Sequence, residues 1–378
     1  MRNRFSMFAA VTVLALVTGG CTLYGWGSNG VGQLGDGTPL DRSQPVAAAR
    51  NPDWLTVAAG SGFTCAVSKS GSLYCWGLNS DGRAGAPATP SSLVPRRIGA
   101  QSDWSQVAAG AAHGCAIRAG GQLYCWGFNG DGRLGLGTTG EAQPPSRVGT
   151  ATDWTQVTTG GSHTCAVRGG RDLYCWGTND VGQLGDGTTT DRSSPTPVGT
   201  GSGWRSVSAG HQHTCAIRDD RVALCWGDND SGRLGDGTET DRPSPTPEAS
   251  GGQWRQISAG SAHTCAIRVD GGLFCWGAGL SGRLGDGAQV DRFTATREST
   301  GSTWNSVSAG GAHTCAVAST RWLYCWGDNG AGQLGDGTQT ARSNPTVIGE
   351  DFGGYVEPLR DWIVVSAGSS HTQGLRDV

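Results

Sequence analysis

The sequence predicts an all-β fold: a seven-bladed β-propeller of four-stranded blades, closed by pairing N-terminal strands with C-terminal strands. A unit of about fifty residues recurs along the 378-residue chain, which indicates an array of repeats. The 65 glycines and 15 prolines suit short strands joined by tight turns. The chain also starts with the third strand of a unit and ends with the second, so its two ends complete one blade.

The first 21 residues are predicted to be a signal peptide. Two arginines precede an apolar run over residues 7–17, which is too short to span a bilayer but typical of a secretory signal. The run leads into Thr18-Gly-Gly-Cys21, which resembles a bacterial lipobox with Thr18 where Leu is usual. We expect export to the periplasm or cell surface and lipidation of Cys21. The alternative is ordinary signal cleavage that leaves Cys21 as a free thiol.

Each repeat is interpreted as four strands, A to D, in a meander. Strand A is the Trp-x-x-Val segment, strand B contains His-Thr-Cys, strand C contains Cys-Trp-Gly, and strand D is a Pro-x-x-Val segment. Glycines occupy the turns between them. A four-stranded sheet repeated around a ring is a propeller blade.

Twelve of the thirteen cysteines form pairs ten residues apart that flank the B–C hairpins. Direct pairing across the hairpin gives a non-hydrogen-bonded site with Cα atoms about 4.5 Å apart, which a disulfide can span. Buried free thiols and zinc are the alternatives, although zinc needs more ligands than two cysteines per blade. The predicted pairs are Cys65 with Cys75, Cys115 with Cys125, Cys165 with Cys175, Cys215 with Cys225, Cys265 with Cys275, and Cys315 with Cys325.

The hairpin loops carry glycine at their third position in three blades, where a left-handed conformation is usual. Arg171, Arg221 and Arg321 stand there in the other three. We therefore expect those three loops to differ.

The closing blade is assigned to residues 22–50 plus 360–378, within a single propeller domain over residues 22–378. Gly25 and Gln373 stand there at the two positions that hold cysteines in the other blades. Because both losses fall in the one composite blade, they support closure of the ring.

The unit Ser-Ala-Gly-x-x-His-Thr-Cys-Ala-Ile, followed by Leu-Tyr-Cys-Trp-Gly-x-Asn-x-x-Gly-Gln-Leu-Gly-Asp-Gly, resembles the repeat of the regulator of chromosome condensation family across residues 22–378. The resemblance implies a seven-bladed propeller that acts through protein contacts. Members include a guanine-nucleotide exchange factor, a plant ultraviolet photoreceptor and a secreted bacterial inhibitor of β-lactamases. The strict repeat period, broken only by an eight-residue excess between Trp304 and Trp362, leaves no room for the exchange factor's wedge hairpin elsewhere.

Composition and motifs argue against several kinds of chemistry. A net charge of −3 lacks the basic footprint of a nucleic-acid-binding protein. Six of the seven histidines hold one repeat position, one per blade, which predicts a structural hydrogen bond, with Phe63 in the remaining blade. The Gly-Asp-Gly loops do not match an EF-hand, so their Asn and Asp are expected to stabilise turns. We predict no cofactor, no metal and no catalytic residue.

Aromatic residues outside the repeat pattern indicate candidate interaction sites. Trp322, Phe352 and Tyr355 fall on the face formed by the B–C and D–A connections, where Cys21 is also expected and would bring that face to the membrane. Phe128 falls on the opposite face. The sequence thus predicts a non-catalytic, monomeric, exported propeller that binds a protein partner at the bacterial cell envelope. A secreted inhibitor of an enzyme such as a β-lactamase, and an exchange-factor activity by family analogy, are the alternatives.

Overall fold

The computed structural model describes residues 20–50, 52–85, 90–199, 201–351 and 356–377, with the side chains of 350–358 excepted. The predicted signal segment therefore lies almost entirely outside the described residues. Within them, seven four-stranded antiparallel sheets form a ring, which confirms the predicted fold class. Two short 3-10 helices, Asp230–Gly232 and Leu280–Gly282, are the helical elements of this part of the chain, and neither could cross a bilayer.

Blades are numbered 1 to 7 from Trp54, and blade 7 is the closing blade. The innermost strands, A, are Trp54–Ala59, Trp104–Ala109, Trp154–Thr159, Trp204–Ala209, Trp254–Ala259, Trp304–Ala309 and Trp362–Ala367. The B strands are Phe63–Ser68, His113–Arg118, His163–Arg168, His213–Arg218, His263–Arg268, His313–Ala318 and His371–Asp377. The C strands are Leu73–Leu78, Leu123–Asn129, Leu173–Gly177, Ala223–Gly227, Leu273–Gly277, Leu323–Gly327 and Cys21–Gly27. The D strands are Ser91–Arg97, Gly140–Arg147, Arg192–Pro197, Arg242–Pro247, Arg292–Arg297, Arg342–Val347 and Arg42–Ala47.

Two buried tryptophans per blade explain why the pattern folds this way. In blade 1 the Trp54 ring lies 5.2 Å from Tyr74 in an edge-on arrangement and 5.9 Å from Trp76. Each such indole removes a large apolar area from water, and the edge-on geometry adds a favourable quadrupole contact. Related contacts recur around the ring, and the tryptophans of one blade also pack on strands B and C of the preceding blade, so the apolar core lies between adjacent blades.

Backbone hydrogen bonds close the ring at two radii. Cys21–Gly27 pairs along its whole length with His371–Asp377, and Gly25 lies directly opposite Gln373 as predicted. Around the axis, each A–B turn donates one N–H to a glycine carbonyl of the next blade. The seven bonds run from Ser61 to Gly110, Ala111 to Gly160, Gly161 to Gly210, His211 to Gly260, Ser261 to Gly310, Gly311 to Gly368 and Ser369 to Gly60.

All six predicted disulfides are present, each with Cα atoms 4.1 Å apart. They join Cys65 to Cys75, Cys115 to Cys125, Cys165 to Cys175, Cys215 to Cys225, Cys265 to Cys275, and Cys315 to Cys325. The first of these pairs lies three positions from the hydrogen-bonded Ser68–Ser72 pair, so it occupies a non-hydrogen-bonded site. Each bridge closes a loop of about ten residues and stabilises the fold by roughly 2–3 kcal/mol in the chain-entropy model.

The alternatives for these cysteines, free thiols and zinc ligation, are therefore set aside. The two cysteines of every pair are bonded to each other, so neither sulfur is a free thiolate that could bind a metal or react. Among the described residues, Cys21 is the one free cysteine.

The expectation that the arginine-containing hairpins differ is wrong. Arg171, Arg221 and Arg321 have φ of 61°, 65° and 64°, close to the 77° of Gly71. The turn hydrogen bond is also the same, from Gly71 N–H to Ser68 O and from Arg221 N–H to Arg218 O. The register of the disulfide-bonded strands imposes the turn, and the arginines adopt its left-handed conformation despite their Cβ atoms.

The eight-residue excess forms a separate two-stranded hairpin, Gly349–Asp351 paired with Val356–Pro358, in the D–A connection between blades 6 and 7. Phe352 and Tyr355 lie outside the described residues, so this part of the predicted aromatic patch stays a prediction.

Candidate interaction faces

The connections between strands divide into two faces, as the topology requires. The B–C hairpins and D–A connections share one face, here called the hairpin face: Lys69 N–H donates to the carbonyl of Asp53 at 2.8 Å. The A–B turns and C–D connections share the other, here called the loop face: Leu78 N–H donates to the carbonyl of Gly62 at 2.8 Å.

The six repeat histidines join successive blades from inside the ring. In each, Nε2 lies 2.8–2.9 Å from the threonine hydroxyl of the next blade, as His113 does from Thr164. In every pair that hydroxyl also donates to a main-chain carbonyl at 2.8 Å, as Thr214 does to Gln183. The hydroxyl therefore accepts from Nε2–H, which fixes the tautomer and leaves Nδ1 unprotonated. The predicted structural role is confirmed.

The blade without the histidine shows a paired replacement. Phe63 is buried at the histidine position of blade 1, and Gly114 stands in blade 2 where the other blades have threonine. An apolar ring beside a threonine would leave the hydroxyl without its usual donor. The Phe63–Gly114 pair removes both polar groups together.

Burial lowers the histidine pKa values strongly. The pKa is about 3 for His163 and His371 and about 4 for His313, because desolvation of the buried ring disfavours the imidazolium form. These rings are neutral at physiological pH and serve the structure.

The aspartates of the Gly-Asp-Gly loops stabilise the C–D connections. In blade 7, Asp36 accepts hydrogen bonds from Asn29, from the backbone and hydroxyl of Thr38, and from Arg42. Burial opposes ionisation, but these donors hold the Asp36 pKa below its ordinary value. Asn29 also donates to the carbonyls of Thr38 and Leu40, so one asparagine organises the whole connection. Blades 3, 4 and 6 repeat this network.

The loop face is acidic. The seven C–D connections contain seventeen Asp and Glu but nine Arg and no Lys, a net charge of −8. The rest of residues 22–378 contains seventeen basic and fourteen acidic residues, a net charge of +3. The C–D connections are counted over residues 28–42, 78–92, 128–142, 178–192, 228–242, 278–292 and 328–342.

A shallow cavity of about 140 Å³ lies on the axis at the loop face. It is lined by the small residues of the seven A–B turns, together with His211 at its exposed mouth. Small-molecule sites usually enclose about 300–1,000 Å³. The cavity is therefore smaller than a usual small-molecule site, which favours binding of a partner on the exposed faces of the ring.

The predicted aromatic patch is only partly described. Trp322 is half-buried on the hairpin face, where the Arg360 guanidinium lies over its ring at 5.2 Å. Phe128 is 39% exposed on the loop face with Arg133 over its ring at 4.9 Å. The structure therefore does not bring Phe128 together with Trp322.

Cys21 lies on the hairpin face, at the first position of strand C in blade 7. Its backbone N–H donates to Asp53 Oδ1 at 2.8 Å, and the same oxygen lies 3.1 Å from Lys69 Nζ. The thiol is buried, and burial raises its pKa. Its strand partner is Asp377, the last described residue.

Leu280 and Val290 are exposed on the loop face, and the off-pattern aromatic residues of the sequence do not predict them. A comparison of aliphatic residues at equivalent positions of the repeats would have found them. Phe293, which is aromatic and outside the repeat pattern, is exposed at the start of strand D, next to this connection.

Comparison with known proteins identifies the repeat. The family model described as the RCC1-like domain matches residues 22–374. No curated protein matches the chain. The family resemblance drawn from the sequence is confirmed.

Solved structures share the fold at low identity. Yeast RCC1 (Prp20), solved bound to Kap60, has a TM-score of 0.85 at 20% identity, with 100% of this chain and 94% of that chain covered. Prp20p from Saccharomyces cerevisiae, whose study concerns binding to Gsp1p and histones, has a TM-score of 0.81 at 22% identity, covering 95% and 92%. Human WBSCR16 has a TM-score of 0.82 at 23% identity, covering 94% and 98%. At these identities the likeness establishes the fold alone.

Proposed function

The chain belongs to the RCC1-like domain family, and from that premise we propose that it is an exported, non-catalytic interaction module of the bacterial cell envelope, anchored through Cys21. Solved relatives of this fold bind proteins, among them Kap60 for yeast RCC1. The protein partner proposed for this chain follows from that property of the fold.

This proposal rests on the difference between the repeat residues, which stabilise the ring, and the exposed connections, which vary between blades. The repeat tryptophans, histidines and loop aspartates are engaged in packing and hydrogen bonds within the ring. What distinguishes one blade from another therefore lies in exposed connections, which is where specificity for a partner belongs. Within the described residues, His211 is the one histidine that reaches the surface.

Export is supported by the disulfides. Six disulfides in one chain form and persist in an oxidising compartment and are rare in the cytosol. The periplasm and the bacterial cell surface are such compartments, and the secretory character of the N-terminal segment agrees with either.

Anchoring is supported by the position of Cys21 at one edge of the hairpin face. Lipidation requires the thiol to leave its buried position, and Cys21 belongs to the last pair of its ladder, where opening disturbs the fewest hydrogen bonds. A lipid there orients the hairpin face towards the membrane and the acidic loop face away from it. A single chain anchors weakly, so stable attachment requires more than one acyl chain.

The inhibitor alternative would be favoured by a dense aromatic surface. The large aromatic side chains exposed in the described residues, Phe128 and Phe293, lie in blades 2 and 5. Because they lie in different blades, they do not form the dense aromatic surface expected of an inhibitor.

Fractionation of cells that express the full chain tests the anchor. We expect the wild-type protein in the membrane fraction and Cys21→Ser in the soluble periplasmic fraction, with intact disulfides in both. Mass spectrometry of the wild-type N-terminal peptide should show a diacylglyceryl addition on Cys21. Retention of Cys21→Ser in the membrane fraction, or recovery of reduced protein from the cytosol, would contradict the proposal.

A further inference from the structure

We propose that the C–D connection of blade 5 is a docking site for a protein segment that presents apolar side chains flanked by Lys or Arg. This inference rests on the proposed function and specifies the face and the chemistry of the partner. It is carried by the way in which the blade 5 connection departs from the network of blades 3, 4, 6 and 7.

The blade 5 connection has lost part of its internal polar network, although Asp286 still accepts from Ala288 N–H and from Arg292. In blade 4, Asn229 donates to Asp236 and to the carbonyls of Thr238 and Thr240. In blade 5, Gly279 and Ala288 stand at the positions of Asn229 and Thr238, so those side-chain donors are gone. A Cβ atom at Gly279 would lie 1.9 Å from the Val290 carbonyl oxygen, so this loop has a path of its own.

Three exposed apolar side chains accompany this loss. Leu280 is 65% exposed and Val290 53% in the C–D connection of blade 5, and Phe293 is 40% exposed at the start of the strand D that follows it. The beginning and the end of this connection are joined by a hydrogen bond, because Gly279 N–H donates to Asp291 Oδ1 at 2.9 Å. We call Leu280, Val290 and Phe293 the blade 5 patch.

The counterparts of the patch in neighbouring blades are polar or small. Blade 4 has Asp230, Thr240 and Pro243, and blade 6 has Gly330, Thr340 and Ser343. The repeat architecture therefore does not require apolar residues there. Exposed apolar side chains that the repeat does not require are characteristic of interaction sites.

A buried arginine beside the patch also lacks its usual partner. Arg83, Arg133 and Arg233 each pair with an aspartate of their own connection. Their counterpart Arg283 has Ala278 and Ser281 at the two positions that supply those aspartates, and its Nε donates to the Leu280 carbonyl at 3.0 Å. No carboxylate of the described residues lies within ion-pair distance of Arg283.

Charge around the patch selects a basic partner. Phe293 packs on Gly232, within the short helix that begins at Asp230, and its carbonyl accepts from Gly237 N–H. Asp230 is exposed, as are Glu239 two residues beyond Gly237 and Asp291 beside Val290. Carboxylates at the rim steer a cationic partner and set its orientation, while the apolar centre supplies affinity.

A protein is the occupant that the charges favour. The loop face carries −8 across its C–D connections, which opposes approach to an anionic lipid surface. Cys21 lies on the other face, so the blade 5 patch points away from the proposed membrane anchor.

Peptide binding to the full chain tests the site. The probes are two fluorescent fifteen-residue peptides with Leu and Phe at the same central positions, one flanked by Lys and the other by Glu. We expect the basic peptide to bind at least tenfold more tightly by fluorescence anisotropy, with affinity that falls as salt rises.

The substitutions come from the repeat itself. Leu280→Asp, Val290→Thr and Phe293→Ser together install residues found at the same positions of blades 4 and 6, so the fold is preserved. We expect this triple variant to lose binding at least tenfold. Leu40→Thr makes the Val290-type change at the equivalent, exposed position of blade 7 and should leave binding unchanged.

The outcomes separate this inference from the proposed function. Equal binding of the two peptides, no binding of either, or full binding by the triple variant overturns the blade 5 site. So does tighter association with vesicles containing anionic lipid than with the basic peptide. Cell fractionation of the triple variant is independent of the site: it should follow the wild type, whereas failure of the proposed function appears as loss of export or anchoring in the wild-type chain itself.

Discussion

The native environment disfavours protonation of the repeat histidines at all six positions. Each ring is buried with Nε2 committed to a threonine, and for five of them Nδ1 has no hydrogen-bond partner among the described residues. A buried imidazolium would lack both solvation and a second acceptor. The six sites connect the pH of the compartment to the stability of the whole ring.

Acid should therefore destabilise the protein steeply. Because the folded-state pKa is lowered to about 3 or 4 in His163, His313 and His371, unfolding takes up protons below the ordinary histidine pKa of about 6.5. The contribution of the histidines to the free energy of unfolding is fully present above that pH. It falls as the pH decreases towards about 4, by up to about 1.4 kcal/mol per histidine per pH unit. Urea unfolding at a series of pH values measures the slope.

A double variant provides the control for this pH dependence. His113→Phe with Thr164→Gly copies the Phe63–Gly114 pair and should reduce the proton uptake by about one of six. An unfolding free energy that is flat between pH 7 and pH 5 would contradict the histidine assignment.

Left-handed arginines give a second residue-scale prediction. Arg221 has φ of 65°, and its carbonyl accepts from Trp254 N–H, a bond that glycine preserves. Arg221→Gly should therefore stabilise the protein by about 1 kcal/mol, because glycine adopts this conformation without steric cost. Thermal unfolding measures it.

The matched change is Gly71→Ala in the equivalent turn. A Cβ atom there would lie 2.3 Å from the Ser102 carbonyl oxygen, so we expect clear destabilisation. A stabilised Gly71→Ala, or a destabilised Arg221→Gly, would refute the steric argument.

At the scale of elements, the closing blade replaces a disulfide by a packing contact. Gly25 lies opposite Gln373, whose buried Nε2 donates to the Gln33 carbonyl at 3.1 Å. A Cβ atom at Gly25 would lie 2.9 Å from that Nε2. The glutamine thus fills the space that two sulfur atoms occupy in the other blades.

Restoring the cysteines should lock the ring. Gly25→Cys with Gln373→Cys places two cysteines in the register of the six native pairs, and the bridge closes a loop of about 350 residues. The chain-entropy model gives about 6 kcal/mol for such a loop, against roughly 1 kcal/mol lost with the glutamine hydrogen bond. The midpoint temperature of thermal unfolding should be higher than that of the control variant Gly25→Ser with Gln373→Ser. A double-cysteine variant with free thiols or with lower stability would contradict the register.

Much of each blade could be predicted from sequence because its determinants are local and repeated. The tryptophan and cysteine positions define strands A to C, and the missing cysteines identify the closing blade. The turn at Arg221 could not be predicted, because it depends on how the hairpin register overrides a residue's own preference. The blade 5 patch was missed because Leu280 and Val290 are notable only relative to the network that Asn229 forms in the neighbouring blade.

At the scale of the whole molecule, the propeller presents two unlike faces on one rigid ring. The hairpin face carries Cys21 and the inserted hairpin, while the loop face carries net negative charge and the blade 5 patch. A ring closed by hydrogen bonds at the axis and by strand pairing in blade 7 keeps the two faces in a fixed relation. Under the proposed anchoring through Cys21, orientation at the envelope determines which face meets a partner.

Two valines of blade 5 allow that orientation to be measured in cells. Val269 on the hairpin face and Val290 on the loop face are 51% and 53% exposed, so they are matched in residue type, blade and accessibility. Replacing each in turn by a photo-crosslinking amino acid in the full chain, in the native envelope, reports what each face contacts. We predict protein adducts from position 290 that disappear with Leu280→Asp and Phe293→Ser, and none of these adducts from position 269. Protein adducts from position 269 alone, or the same adducts from both positions, would contradict the account.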